Sequence, residues 1–133
     1  MGLVFDASVT ITWAMRDEDN PLADLAFVEV GSGSAIVPSI WWYEIRNILV
    51  MNERRNRISP ADSAQFLVDL QQLSIKIDSS PEDTQVLQLS RKFRLTVYDA
   101  AYLALALRER LPLATLDKNL SAAAVACGVR LLA

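Results

Sequence analysis

The chain has 133 residues, 52% of them hydrophobic and 22% charged, a globular composition with room for one domain over residues 1–133 and not for two. Its formal net charge is −3 and its pI is near 4.9, so any nucleic-acid contact must come from a local patch or a bound cation. It has no histidine and one cysteine, Cys127, which excludes a Ser-His-Asp triad, a Cys-His pair, the common zinc sites and an intrachain disulfide.

In chain order, Leu3 to Phe5 form a short apolar run that stops at Asp6, as a buried strand does. Ser8 to Met15 read as a helix, and Arg16 to Pro21 as a charged loop with proline as its stop. Leu22 to Val30 carry apolar residues at helical spacing, and the Gly31-Ser32-Gly33-Ser34 stretch reads as a turn. Ala35 to Val37 predict a second strand, ended by Pro38. Ser39 is the expected cap of a long amphipathic helix from Ile40 to about Arg57, with Trp41, Ile45, Ile48 and Leu49 on one stripe. Ser59 and Pro60 open a helix to about Leu73, and Ser74 to Ile77 are a candidate third strand. Ser80-Pro81-Glu82 repeats the cap-and-proline signal and opens a helix through Phe93. Tyr98 to Arg110 is a further helix and Leu113 to Leu116 a strand. Lys118 to Ala126 is a helix closed by Gly128, and Val129 to Leu132 is a last strand. Short apolar strands alternating with helices predict an α/β fold with a short, mostly parallel sheet of four or five strands, covered on both faces.

The longest charge-free run, between Glu29 and Glu44, is broken by Gly31, Gly33 and Pro38 and is too short to span a membrane. The N-terminus lacks a secretory pattern, and the single cysteine fits a reducing compartment. The cytoplasm is the expected location, and Cys127 the expected small core residue.

Ligands of open α/β sheets bind beyond the carboxyl ends of the strands. Asp6 follows the first predicted strand and Asp117 the Leu113 to Leu116 strand. Glu44 lies one to two turns into the helix after the second strand, and Asp99 begins an otherwise apolar helix. The four carboxylates are therefore expected along one edge. For Asp6, Asp99 and Asp117 the alternative is helix capping. Glu44, three residues after Trp41 and four before Ile48, falls on the apolar stripe, and Asp99 is in line with Tyr102, Leu103 and Ala106. Buried carboxylates are costly unless paired or bound to a cation. The basic residues at helical spacing, Arg46 and Arg108, are expected to point elsewhere. A shared Mg2+ or Mn2+ is the simplest remedy, since it offsets the repulsion and activates a water.

Ser8 and Thr115 each stand two residues from an aspartate, either to hold that carboxylate or to cap and turn. Asn47, three residues after Glu44, orients Glu44 or touches a substrate; the alternative is a buried, satisfied amide. Arg54, Arg55 and Arg57 form the densest basic stretch, a phosphate contact or a solvated helix end. Arg91, Lys92 and Arg94 form a second such group. Trp41 and Trp42 face about 100° apart on a helix, so one can pack in the core while the other is exposed as an anchor for a partner; the alternative is that both are core or half-buried.

Taken in order and at these separations, VFDASV, PSIWWYEIRNIL, TVYDAAYLALA and LATLDKNL resemble the PIN-domain ribonucleases, in particular the small VapC-type toxins of type II toxin–antitoxin pairs. The resemblance runs from Val4 to the last predicted strand. It implies a three-layer α/β/α sandwich with an acidic quartet at Asp6, Glu44, Asp99 and Asp117. The quartet would hold one or two Mg2+ or Mn2+ ions for the hydrolysis of RNA phosphodiester bonds. Asp6, Asp99 and Glu44 would be the principal ligands, with Asp117 bound through water or to a second ion. Ser8, Asn47 and Thr115 match the family's accompanying polar positions. The resemblance further implies a homodimer silenced by a cognate, VapB-like antitoxin, with a higher assembly formed between the two; the antitoxin or the second protomer would be the partner that Trp41 or Trp42 anchors. Three readings compete. One is a catalytically silent PIN-like module that binds RNA or protein. A receiver-like phosphoacceptor domain is another, but Ala7 follows Asp6 where a second acid is needed, and Asp78 would have to accept the phosphoryl group. A flap-type DNA nuclease is the third, and the chain is too short for it.

Overall fold

In the computed structural model, which describes residues 2–15, 19–80 and 83–133, the strands are β1 (Gly2–Phe5), β2 (Ser34–Pro38), β3 (Ile75–Asp78) and β4 (Leu113–Ala114). They pair in the order β3-β2-β1-β4, and every pairing is parallel. Leu3 lies opposite Ala35, Val4 opposite Leu113, and Ala35 opposite Ile75. The two central strands are buried on both faces, so they read as unbroken apolar runs rather than alternating ones. The expected last strand, Val129 to Leu132, contributes only a single bridge from Leu131 to Leu113.

Seven helices flank the sheet among the described residues: α1 (Ala7–Ala14), α2 (Pro21–Ser32), α3 (Ile40–Arg54), α4 (Pro60–Gln71), α5 (Asp83–Phe93), α6 (Val97–Glu109) and α7 (Lys118–Ala126). The architecture is the three-layer α/β/α sandwich. Arg16, Asp17 and Glu18 of the expected charged loop, and Pro81 and Glu82 of the second cap-and-proline signal, lie outside the described residues.

Several boundaries differ from the sequence reading, each for a local reason. Pro21 does not stop a loop; it opens α2, where its missing N–H costs nothing, and Asn20 caps the helix by accepting from the N–H groups of Leu22 and Ala23. Gly31 and Ser32 complete α2 instead of forming a turn, and Gly33 alone joins the helix to β2. Ser39 caps nothing: its backbone is already helical (φ −59°, ψ −27°), so its hydroxyl bonds no N–H of the first turn. α3 ends at Arg54 rather than near Arg57, because Asn56 turns to a left-handed conformation (φ 58°) and Arg57 N–H reaches back to Asn52 O at 2.9 Å. β4 stops at Ala114, two residues before its expected end.

One apolar cluster fills the space between sheet and helices, with Phe5, Ile45, Tyr102, Leu103 and Leu113 among its buried members. Two indoles staple the layers. Trp41 Nε1 donates to Thr10 Oγ1 at 2.9 Å, and Trp13 Nε1 donates to Ala23 O at 2.8 Å. Both rings pack on Phe5, at centroid distances of 5.2 Å for Trp13 and 6.0 Å for Trp41. Trp41 is buried and Trp42 faces outward, 42% exposed, so of the two arrangements open to the pair the structure takes the divided one. Among the described residues no helix is long and apolar enough to cross a membrane.

Candidate active site at the carboxyl edge of the sheet

β1 and β4 run side by side, and Asp6 N–H donates to Ala114 O at 3.2 Å where they end. This closure puts Asp6 beside Thr115, although 109 residues separate them. Asp6 is 4% exposed and collects three donors. Its Oδ1 accepts from Ser8 Oγ at 2.6 Å and from Val9 N–H at 3.2 Å, and its Oδ2 accepts from Thr115 Oγ1. Each hydroxyl in turn accepts a backbone N–H: Ser8 Oγ from Leu116 at 3.0 Å, and Thr115 Oγ1 from Asp117 at 3.1 Å. Those N–H groups occupy a lone pair on each hydroxyl and leave its hydrogen aimed at Asp6. Local spacing pointed Thr115 at its neighbour Asp117; the sheet gives its hydroxyl to Asp6.

Asp6 also caps α1 through Val9, and Asp117 caps α7, its Oδ1 accepting from Leu120 N–H at 2.9 Å. For these two residues capping and the edge position coexist. Asp99 is not a cap: Thr96 takes that place on α6, its Oγ1 accepting from Asp99 N–H at 3.1 Å, so the Asp99 carboxylate is left over from helix initiation. Glu44, in the second turn of α3, accepts at Oε1 from Tyr102 Oη at 2.6 Å.

These groups act on one another. Burial raises the pKa of Asp6; Ser8, Thr115 and Val9 offset part of this, and the charge of Asp117 adds to it. Burial also raises Glu44, against the Tyr102 bond and with further repulsion from Asp99 and Asp6. Asp99 is raised by burial and then by Asp117 and Asp6, with Thr96 in opposition. The Tyr102 phenol is pushed far up by burial and by its bond to Glu44, so it remains a donor. Among the described residues no cation lowers any of the three raised carboxylates. Arg108 donates instead to Asp78 (2.7 and 3.2 Å), to Glu109 (3.1 Å) and to Ser80 O (2.8 Å). Arg46 lies 3.6 Å over the Trp42 ring and donates to Trp42 O at 3.0 Å.

Among the described residues no three carboxylates are drawn together as a ready-made cation cage. The donors are nonetheless all hard oxygens, without imidazole or thiolate. Such a set fits Mg2+ or Mn2+, which keep part of their water shell and need only one or two direct carboxylates.

The other sequence candidates scatter. Asn47 is exposed and makes no hydrogen bond to Glu44 among the described residues, so it is not a buried amide. The buried amide of α3 is Asn52, whose Nδ2 donates to Ile48 O at 2.8 Å and whose Oδ1 accepts from Arg57 at 3.3 Å. Arg54 lies ten residues beyond Glu44 on α3, about 15 Å along the helix, and Arg55 follows it. Both are exposed, away from the carboxylates. The sequence places Tyr102 only on an apolar stripe. The available signal was its hydroxyl, which must find a partner once buried.

A parallel α/β sandwich with carboxylates repelling one another beyond the carboxyl ends of its strands defines a class of small acidic-site domains. Within that class the chain belongs to the PIN-domain family, whose profile matches residues 3–126. The PAE2754 protein of Pyrobaculum aerophilum is similar in structure, with a TM-score of 0.71 and 24% identity over 92% of this chain and 83% of that one. FitAcB of Neisseria gonorrhoeae gives a TM-score of 0.67 and 17% identity over 100% of this chain and 97% of that one. A toxin–antitoxin complex from Klebsiella pneumoniae gives 0.61 and 21%, over 88% and 87%. At these identities the likeness is one of fold. Comparison with curated proteins returns no match.

Proposed function

We propose that this chain is a VapC-type toxin: a Mg2+- or Mn2+-dependent endoribonuclease that works in the cytoplasm as a homodimer and is silenced by a cognate, VapB-like antitoxin. The observation that carries the reading is the acidic edge: Asp6, Glu44 and Asp99 are raised by burial and by neighbouring carboxylates, Asp117 adds its charge against Asp6 and Asp99, and no cation among the described residues lowers the three. PIN-family membership supports a nuclease, and the structural likeness to the toxin–antitoxin complex of Klebsiella pneumoniae supports the partnered toxin.

When bound, one or two such ions would lower the pKa of an attacking water and neutralise charge gathering on the phosphate. Asp6, Asp99 and Glu44 are the proposed direct ligands, and Asp117 acts through water or at the second ion. Ser8 and Thr115 favour the charged form of Asp6, offsetting part of the effect of its burial, and hold the carboxylate still. Exposed Asn47 is available to touch the RNA. Arg54, Arg55 and Arg57 would meet phosphates well away from the cut, and exposed Trp42, rather than buried Trp41, would anchor the antitoxin or second protomer. The receiver-like reading loses its acceptor, because Asp78 is held by Arg108.

The test is cleavage of purified total RNA resolved on a sequencing gel. Wild type with Mn2+ is expected to give discrete cuts. EDTA, or Asp6→Asn with Mn2+, is expected to give none. No cuts from folded, antitoxin-free protein would leave the silent binding module as the better reading. Equal cutting by Asp6→Asn would refute the site.

A further inference from the structure

Tyr102 stands on α6, three residues after Asp99, and is 1% exposed, so its ring cannot touch RNA. Its hydroxyl reaches across to α3 and donates to Glu44 Oε1 at 2.6 Å. A buried phenol needs an acceptor, and a backbone carbonyl would satisfy it as well. Here it takes a half-buried carboxylate that Asp6 and Asp99 repel. The effect is to fix the end of a flexible side chain in a place it would otherwise leave. The bond also distinguishes the two oxygens of Glu44: Oε1 gives one of its lone pairs to the phenol, and Oε2 accepts no hydrogen bond among the described residues.

We infer that Tyr102 is a positioning residue that presents Glu44 to a divalent cation through one oxygen, and so favours a small octahedral ion over calcium. The inference rests on the metal-binding reading above. Calcium takes six to eight oxygens and readily accepts a carboxylate through both, whereas magnesium holds near-octahedral geometry and retains several waters. A two-oxygen grip by Glu44 would make Oε1 share its lone pairs between the cation and the phenol hydrogen, which makes it the poorer ligand of the two oxygens. Removing the phenol oxygen should therefore weaken binding of the small ions and relax discrimination against the large one. Partners that orient metal ligands are typically worth about 10–100-fold in affinity.

Ion binding to the isolated protein tests this without RNA. Mn2+ uptake is read from loss of the free-ion electron paramagnetic resonance signal, with Mg2+ and Ca2+ as competitors. Wild type is expected to bind Mn2+ and to prefer Mg2+ to Ca2+. Tyr102→Phe is expected to lose about tenfold in Mn2+ affinity and to narrow the Mg2+ preference. In a Glu44→Gln background the same change should alter neither. Unchanged binding by folded Tyr102→Phe, or an equal loss in both backgrounds, overturns the inference and leaves the metal reading standing. A wild type that takes up no Mn2+ overturns both. Should the phenylalanine variant fail to fold, a 4-aminophenylalanine replacement of Tyr102 keeps a donor in the same space. That variant is expected to retain wild-type selectivity, and its loss would overturn the inference.

Discussion

Glu44 condenses the conflict at the acidic edge into one side chain. Burial raises its pKa, and Asp99 and Asp6 raise it further, while the Tyr102 hydroxyl pulls the other way without cancelling them. A carboxyl group whose folded pKa exceeds its unfolded value near 4.5 binds more protons in the native state. Its contribution to stability is complete below the unfolded value and is lost as pH rises through the folded one. Glu44→Gln keeps an acceptor for Tyr102 and removes the charge. The metal-free variant should melt together with wild type at pH 4 and above it at pH 7.5. Solvent reaches about half of Glu44, so screening holds the gain to about 1 kcal/mol or less. Saturating Mn2+ should reverse the order at pH 7.5, because Glu44→Gln lacks one of the proposed ligands. Paired thermal melts read both effects, and a variant less stable than wild type at pH 7.5 without metal would contradict the argument. At this scale the sequence was legible where a residue's neighbours decide its place. Asp6 and Asp117 stand beyond strand ends because the apolar runs before them are buried. It was illegible where chain closure decides: Thr115 meets Asp6 and Tyr102 meets Glu44 across 109 and 58 residues. No local spacing encodes those pairs.

Two serines show how an element boundary is set by its next residue. Ser39 and Ser59 carry the same capping signal before a helix. Pro60 disfavours helical backbone at Ser59, whose φ and ψ of −89° and 157° aim its hydroxyl at Asp62 N–H, 3.0 Å away. Ile40 imposes no such restriction, and Ser39 is drawn into the helical region, where it caps nothing. Ser59→Ala should therefore cost about 1 kcal/mol, and Ser39→Ala should stay within about 0.5 kcal/mol of wild type, both measured by urea unfolding. Ser59→Ala should leave Mn2+ binding unchanged, since α4 carries none of the four carboxylates. Equal losses in the two variants would show that the signal, not the backbone, sets the cap. The helices read well because their apolar spacing repeats over several turns, and α7 spans the expected residues Lys118–Ala126. The strands read less well at their ends. Leu113 to Leu116 is apolar apart from Thr115, yet ladder pairing stops at Ala114, where Thr115 turns its hydroxyl to the site.

For the whole molecule, alternating strands and helices made the sandwich legible, but not the strand order β3-β2-β1-β4. That order places β1 between β2 and β4, so the residues that follow three neighbouring strands come to one edge. There the fold concentrates negative charge in a chain whose net charge is only −3. Metal-free protein at neutral pH therefore folds against its own site, and a divalent ion that binds the native state alone must stabilise the whole domain. Mass action sets the size at about 2.7 kcal/mol when the free ion is 100 times Kd, a shift of about ten degrees in Tm. Mg2+ or Mn2+ should raise Tm and EDTA should restore the lower value. NaCl at matched ionic strength should do far less, because general screening acts weakly on a partly buried cluster. Asp6→Asn should lose most of the ion-induced shift while retaining a cap for α1, since asparagine caps as well as aspartate. A shift that NaCl reproduces, or that survives in Asp6→Asn, would mean that the ion stabilises the surface at large and that the carboxyl edge is not its seat.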